Sequence, residues 1–333
     1  MEKIRTGIVG AGKMGSIHAR VYNDLSISDL AGVVDINKQA AENLAGKYNC
    51  RFFTDYRDLI GRVDAVTIAA PTVHHLELAK VFIENGIAVM IEKPIAAGVS
   101  QGRQIVALAK KHNVVAAVGH SERCNPVVQA MKRLAIEPKF IEANRISPYS
   151  FRSTDIGVVL DVMIHDIDII LSLASSEIVR IDAVGVNVIA DHEDICNARI
   201  VFANGCIANI TASRVAMKTE RKVRVFSRQA YLSLDYYKKE GVVIQVEPNV
   251  DVVKWIRRRQ QEDFDFSDVD WAELLHIEQL DIDDKEPLRV EQEAFLGAVA
   301  DSKLRPEVTA EEGLAALECA EKILEAVKKH KWD

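Results

Sequence analysis

Cysteine is scarce and scattered. Cys50, Cys124, Cys196, Cys206 and Cys319 are odd in number, and no CxxC pair or zinc-ligand spacing connects them. Neither a disulfide framework nor a metal site is expected, and a reducing, cytoplasmic setting is the default. Long apolar runs are missing too: each is broken by charge well short of the ~20 residues that a membrane-spanning helix needs. There is no cationic excess, since 42 Lys and Arg face 49 Asp and Glu for a net charge of −7. That balance argues against general affinity for nucleic acid. Met1-Glu2-Lys3 runs straight into an apolar strand, so no signal peptide is expected. No internal repeat or low-complexity tract is present. What is there, 333 residues of which 48% are hydrophobic and 27% charged, suits a globular chain long enough for two domains.

The first strand, Ile4–Val9, breaks into Gly10-Ala11-Gly12-Lys13-Met14-Gly15, and a second apolar run, Leu30–Val34, ends at Asp35. This pattern is a dinucleotide fingerprint. Gly10 allows the sharp turn, Gly12 clears the place where a pyrophosphate touches backbone, and Gly15 lets the following helix close on the sheet. Asp35 is placed to bind an adenosine ribose 2′-hydroxyl and to repel a 2′-phosphate, so NAD is expected over NADP. Lys13 and Lys38 are the opposing features. A strand-to-helix turn without a ligand is the plain alternative.

Further strand runs at Ala65–Ala69, Ala88–Ile91 and Val114–Val118 alternate with helical patterns at Met14–Asp24, Lys38–Tyr48, Val73–Asn85 and Ser100–Asn113. The strands are apolar on both faces, as in a doubly wound parallel sheet covered by helices. After Gly119 the rhythm changes. Helices are expected at Pro126–Ile136 and Val158–Leu173, separated by a strand at Phe140–Arg145 and a loop at Ile146–Ile156. Strand-like runs follow from Val179 to Val246, with Asn204-Gly205 as a two-residue hairpin turn. The expected fold is α/β: an N-terminal Rossmann domain over 1–121, then an α/β domain over 122–333 with a large, mostly antiparallel open sheet. The terminal helices at 289–333, one opened by the capping box Thr309-x-x-Glu312, are candidates to pack back on the first domain. Asn249–Glu286, with Trp255 and Trp271, is the least readable stretch.

Three features outside the fingerprint can carry chemistry. Glu92-Lys93-Pro94 follows the strand Ala88–Ile91, at the carboxyl end where ligands of such sheets bind. The Lys93 ammonium there can stabilise a developing alkoxide; a surface lysine beside a turn proline is the ordinary alternative. On the helix Val158–Leu173, Asp161, His165, Asp168 and Ser172 follow i, i+4, i+7, i+11 and form one stripe. Such a stripe lines a polar cavity or is satisfied within the core. His165 is a candidate general base, because its unperturbed pKa lies near neutrality. Ala70-Pro71-Thr72 and His75 should meet the cofactor, as should Ala11, Lys13, Met14, Ile36, Glu92 and Lys93; His74 and His75 begin the next helix, where capping or packing is the plain alternative. Arg123, Asn125, Tyr149 and Arg152 are candidate substrate contacts. Arg257-Arg258-Arg259 is read first as a solvated face.

The fingerprint, Glu92-Lys93-Pro94, the Pro71-to-His75 spacing and Asp161-x-x-x-His165, in this order, resemble the glucose–fructose oxidoreductase / inositol dehydrogenase / MocA (Gfo/Idh/MocA) dehydrogenases over essentially the whole chain. The resemblance implies NAD(P)-dependent chemistry on a sugar-like hydroxyl, with Lys93, Asp161 and His165 as the catalytic trio and a cis proline at Pro94. It also implies a homodimer or homotetramer built through the second domain's sheet. Val118–Pro126 and Gly157–Asp168 look most like the sugar-nucleotide branch, which implies oxidation at C3 of UDP-N-acetylglucosamine. Two positions depart from relatives: Cys124 stands where many have an aromatic residue, and Ile156-Gly157 where many have Gly-Gly. Other readings stay open: a different sugar or polyol dehydrogenase, an NAD-retaining glycosidase or epimerase of the same family, and a non-catalytic dinucleotide sensor.

Overall fold

The computed structural model describes residues 3–134, 136–149, 156–228, 230–246, 257 and 275–330. Arg152, Trp255, Trp271, Arg258 and Arg259 lie outside the described residues. The chain divides into two compact units. The first holds residues up to 125 together with 167–169 and 285–325, and the second holds 126–166, 170–284 and the residues after 325.

The first unit is a six-stranded sheet of β1 (Ile4–Val9), β2 (Ser28–Val34), β3 (Arg51–Phe53), β4 (Ala65–Ile68), β5 (Ala88–Glu92) and β6 (Ala116–Gly119). The order is β3-β2-β1-β4-β5-β6 and every pairing is parallel. Strand order reverses between β1 and β4, which opens a crevice beyond their carboxyl ends. Helices α1 (Lys13–Asp24), α2 (Lys38–Tyr48), α3 (His75–Glu84) and α4 (Val99–His112) make the crossovers. On α1 the buried positions Gly15, His18, Ala19 and Tyr22 fall at i, i+3, i+4, i+7, the stripe that turns one helix face to a core. Two helices from the far end of the chain complete this unit. Leu288, Phe295 and Leu296 of α7 (Pro287–Ala300) join Ile8, Tyr22 and Met90 in one apolar cluster. In α8 (Ala310–Lys329), Gly313 lies so close to Val118 of β6 that a Cβ would stand 2.4 Å from its side chain. Thr309 and Glu312 exchange the reciprocal bonds of a capping box at its start.

The second unit carries α5 (Pro126–Lys132), β7 (Phe140–Ile146), α6 (Ile164–Ala174, of which 167–169 belong to the first unit) and β8 (Ile178–Val186). It continues with β9 (Ile195–Phe202), β10 (Ile207–Ser213), β11 (Glu220–Phe226), β12 (Ala230–Asp235), β13 (Glu240–Val246) and β14 (Leu275–Gln279). These eight strands run β14-β13-β12-β11-β7-β10-β9-β8, antiparallel except for β7 beside β10. Burial alternates along β7, β9, β10 and β11, so one face is covered and the other is not. Among the described residues no helix is long and apolar enough to cross a membrane.

Two local expectations are corrected. The β9–β10 connection is a three-residue loop, Ala203-Asn204-Gly205, not a two-residue turn. Gly205 N–H returns to Phe202 O and only Gly205 takes positive φ, the pattern of a turn followed by a glycine bulge. The helix holding Asp161 also opens differently, as a π-helical turn over Val159–Met163 that becomes α-helical at Ile164.

Candidate active site

The fingerprint glycines are each required for a separate reason. Gly10 has φ +106°, and a Cβ on it would lie 2.6 Å from Ala69 O. A Cβ on Gly15 would lie 1.7 Å from Gly10 O, so any side chain would push α1 off the sheet. At Gly12, by contrast, a Cβ would meet nothing within 4 Å. Packing does not need that glycine; a ligand lying against the backbone does. Gly12 is also the N-cap of α1 and supplies no side-chain cap, which leaves the first N–H groups for an anion.

Asp35 ends β2 with its carboxylate held from two sides. Oδ2 accepts from Ala11 N–H at 2.7 Å and Oδ1 from Asn37 N–H at 2.8 Å. Beside it lies a cavity of about 690 Å³ lined by Gly10, Gly12, Asp35, Ile36, Ala70 and Pro71 among others. The cradle without side chains, the fixed acid and the mainly apolar cavity fit a dinucleotide. Thr54, Tyr56 and Glu77 also line the cavity and escaped the sequence reading. Tyr56 donates to Glu77 Oε1 at 3.0 Å, a pairing between separate segments that no local pattern announces.

Several predicted cofactor contacts do something else. His75 is buried, with Nδ1 3.0 Å from Pro94 O and Nε2 3.0 Å from Ala70 O. It clasps the two loops that leave β4 and β5. Burial pulls its pKa down, against the pull of those carbonyls. Glu92 turns its carboxylate inward: Oε1 meets His18 Nε2 at 2.7 Å and Oε2 accepts from Lys93 N–H at 3.3 Å. The Lys93–Pro94 peptide is cis. Thr72 opens a short 3-10 turn ahead of α3, while Lys13 and Met14 lie exposed at the start of α1.

Arg123 is expected to face substrate, but it is only 3% exposed. Its Nε donates to Asp168 Oδ2 at 2.8 Å and its Nη2 to Oδ1 at 2.6 Å. Asp168 thereby leaves the proposed polar stripe: it is an ion-pair partner, not a cavity wall. Asp166, off the stripe, is likewise held by Arg145 of β7, with both contacts at 2.8 Å. His120 is fully buried in the first unit, and burial lowers its pKa even though Asp168 pulls the other way. Asn125 is buried as well.

In the second unit, Asp161 sits within the π turn and His165 one residue into α6, both half-buried. The His165 Nδ1 atom is buried. π-helical turns concentrate at functional positions because they re-aim side chains that an α-helix would stack. The turn is anchored from β9's side of the unit. Glu193 O accepts from Val158 N–H at 2.9 Å, and Glu193 Oε1 accepts from Val159 N–H at 3.2 Å. A Cβ on Gly157 would lie 2.0 Å from that carboxylate oxygen. A side chain at Gly157 would have to displace that carboxylate. Arg214 braces the segment by donating to Ile156 O at 2.8 Å and to Asp194 Oδ1 at 2.7 Å, and its guanidinium lies over the ring of Tyr149.

Comparison with known proteins agrees with this architecture. Residues 4–120 match the model of the oxidoreductase family with an NAD-binding Rossmann fold, and residues 140–233 match the GFO/IDH/MocA C-terminal domain. The chain is 37% identical to UDP-N-acetylglucosamine 3-dehydrogenase of Acidithiobacillus ferrooxidans over 71% of its own length and 75% of that protein's. A solved structure of that dehydrogenase superposes with a TM-score of 0.88 at 31% identity, covering 98% of both chains. Inositol 2-dehydrogenase of Rhizobium meliloti is 28% identical over 64% of this chain and 69% of its own. The chain belongs to the Gfo/Idh/MocA oxidoreductase family and is an NAD-dependent dehydrogenase.

Proposed function

We propose that this protein oxidises a secondary hydroxyl on a sugar ring, and that the substrate is UDP-N-acetylglucosamine, reacting at C3. The observation that carries this reading is the 37% identity to a UDP-N-acetylglucosamine 3-dehydrogenase across most of both chains. Bound NAD supplies the hydride acceptor. The imidazole of His165 takes the hydroxyl proton as general base. The Lys93 ammonium donates to the same oxygen and stabilises its alkoxide character. Asp161 accepts a hydrogen bond from a neighbouring ring hydroxyl and sets the sugar's orientation. Asn125, Tyr149 and Arg152 remain our candidates for substrate contacts, whereas Arg123 orders the first unit through Asp168.

The same reading makes the protein a cytoplasmic homodimer or homotetramer. Its support is an aromatic row on the uncovered face of the second sheet. Phe140 and Phe226 have ring centroids 5.7 Å apart, Phe226 and Tyr231 4.8 Å apart, and Ile277 is 56% exposed nearby in the strand order. Light scattering behind gel filtration reads the assembly, and a monomer would refute it.

The activity is tested by following NADH absorbance with UDP-N-acetylglucosamine, coupled to an aminotransferase that removes the ketone product. Reduction of NAD by this substrate is expected. Lys93→Ala and His165→Ala are expected to abolish it while NAD binding persists. No NADH with any nucleotide sugar or polyol would overturn the proposal, and full turnover in Lys93→Ala would overturn the role of the lysine.

A further inference from the structure

Behind Lys93 the first unit contains a row of buried polar side chains that the reaction itself does not use. Gln292 of α7 places its Nε2 2.7 Å from His18 Nδ1 and 3.3 Å from His18 O. A carbonyl oxygen can only accept, so the amide nitrogen is the group that faces His18, and it donates to Nδ1. The neutral imidazole then carries its hydrogen on Nε2 and donates it to Glu92 Oε1 at 2.7 Å. The second Glu92 oxygen takes the backbone N–H of Lys93. His18 and Gln292 are both 0% exposed. Gly119, on the neighbouring strand, leaves room for the carboxylate: a Cβ there would stand 3.3 Å from Glu92 Oε1. An apolar residue at either buried position would pack without needing a partner, so a connected polar row running to one loop calls for a purpose.

We propose that His18 and Gln292 are positioning residues for Lys93: by holding the Glu92 carboxylate in one place they fix the main chain from which the lysine extends. His18 also lies one turn beyond Gly15, so the row ties the helix that carries the fingerprint to the loop that carries the lysine. The charged and titratable groups facing Glu92 are His18 from α1, Lys93 on its own strand end, Glu291 from α7, His75 from α3 and His120 after β6. Burial favours the neutral acid, but His18 and Lys93 outweigh it and keep Glu92 ionised. Removing the His18 donor therefore makes Glu92 easier to protonate.

The inference rests on the proposed role of Lys93. Its test pairs the pH dependence of kcat with nitrogen NMR of the unliganded enzyme. His18→Leu should lower kcat by on the order of 10-fold or more, since small misplacements of a reacting group cost up to ~100-fold. KM for NAD should change by less than about 3-fold, because the fingerprint glycines and Asp35 are untouched. The acid limb of kcat should move up by about one to two pH units, the worth of one charge-assisted hydrogen bond. His18→Gln, which keeps an amide donor toward Glu92, should recover most of both effects. Gln292→Leu should shift the acid limb in the same direction and carries the test if His18→Leu does not fold. NMR at about pH 8 should find His18 in the Nε2–H tautomer. Wild-type kcat and acid limb in both leucine variants, equal damage in His18→Gln and His18→Leu, or the other tautomer would each overturn the proposal while Lys93→Ala stays inactive. A fully active Lys93→Ala would instead overturn the reading of the lysine, and this role with it.

Discussion

The carboxylate of Asp35 receives the backbone N–H of Ala11, at 2.7 Å, from within the glycine turn. The acid that ends β2 and the glycine turn that follows β1 are therefore one hydrogen-bonded unit. A substitution at Asp35 should disturb both. Asp35→Ser combined with Ile36→Arg should weaken NADH binding by about 10- to 100-fold, the loss of one charge-assisted hydrogen bond, and should admit NADPH. Ile36 is almost fully exposed, so an arginine there meets no packing obstacle. Fluorescence titration of the unliganded enzyme with each reduced cofactor measures the change; unaltered preference would refute the role given to Asp35.

Arg123 and Asp168 form a buried, two-pronged ion pair. Arg123→Met should cost about 3–5 kcal/mol, because Asp168 is left buried with its principal partner gone. The double variant Arg123→Met/Asp168→Leu should recover much of that loss, since two apolar groups need no compensation. Denaturant unfolding of the two single variants and the double checks this, and simple additivity would refute it.

Gly157 is pressed against Glu193, the residue that accepts from the start of the π turn. Gly157→Ala should displace that carboxylate and release Val159 N–H, at a cost of about 1–3 kcal/mol for the buried donor. Activity should fall more than cofactor binding does, because the turn carries Asp161 and not the cradle. Calorimetry alongside NAD titration and steady-state kinetics separates the effects.

Two carboxyl groups should bend the pH–stability curve in opposite senses. Asp194 is buried, which alone would raise its pKa, yet the N–H groups of Ile189, Ala190 and Val188 and the Arg214 guanidinium pull it well below the usual carboxylate range. Its stabilisation is complete above the unfolded pKa of about 3.9 and is lost as pH falls toward the folded value. Asp194→Asn should therefore be destabilised at neutral pH, with the deficit shrinking in acid. Glu291 is the reverse case: burial, with Glu92, Asp168 and Glu307 nearby, raises its pKa well above normal. Stability is then lost as pH rises above the unfolded pKa of about 4.3, because only the unfolded chain ionises freely. Glu291→Met should gain stability relative to the parent at pH 8 and gain much less at pH 5. Melting temperatures from about pH 2 to 5 test the first sign and from about pH 5 to 8 the second, and curves parallel to the parent's in those windows would refute them.

The polar features of the two buried helix stripes show where sequence reading stops. His18 lies on the inward face of α1 and Glu291-Gln292 on that of α7, and each is visible as a polar residue at an apolar position. What His18 and Gln292 bind is not visible, because their partners lie 74 or 274 residues away. The same limit explains Arg123 and Asp168. Each looks like a site residue alone, and only their proximity in the folded unit shows them to be bound to each other.

By itself the sequence determined whatever local geometry dictates. That includes the glycine turn after β1, the acid ending β2, the alternation of apolar strands with helices, and the cap at Thr309 and Glu312. Each of these depends on residues within a few positions of one another, through φ, periodicity or a neighbouring N–H. Tertiary structure decided which charges are held inside, that α7 and α8 belong with the first sheet, and that Asp161 is carried on a π turn. Those outcomes depend on which distant groups share a buried environment, where a polar atom must find a partner and a side chain must find room.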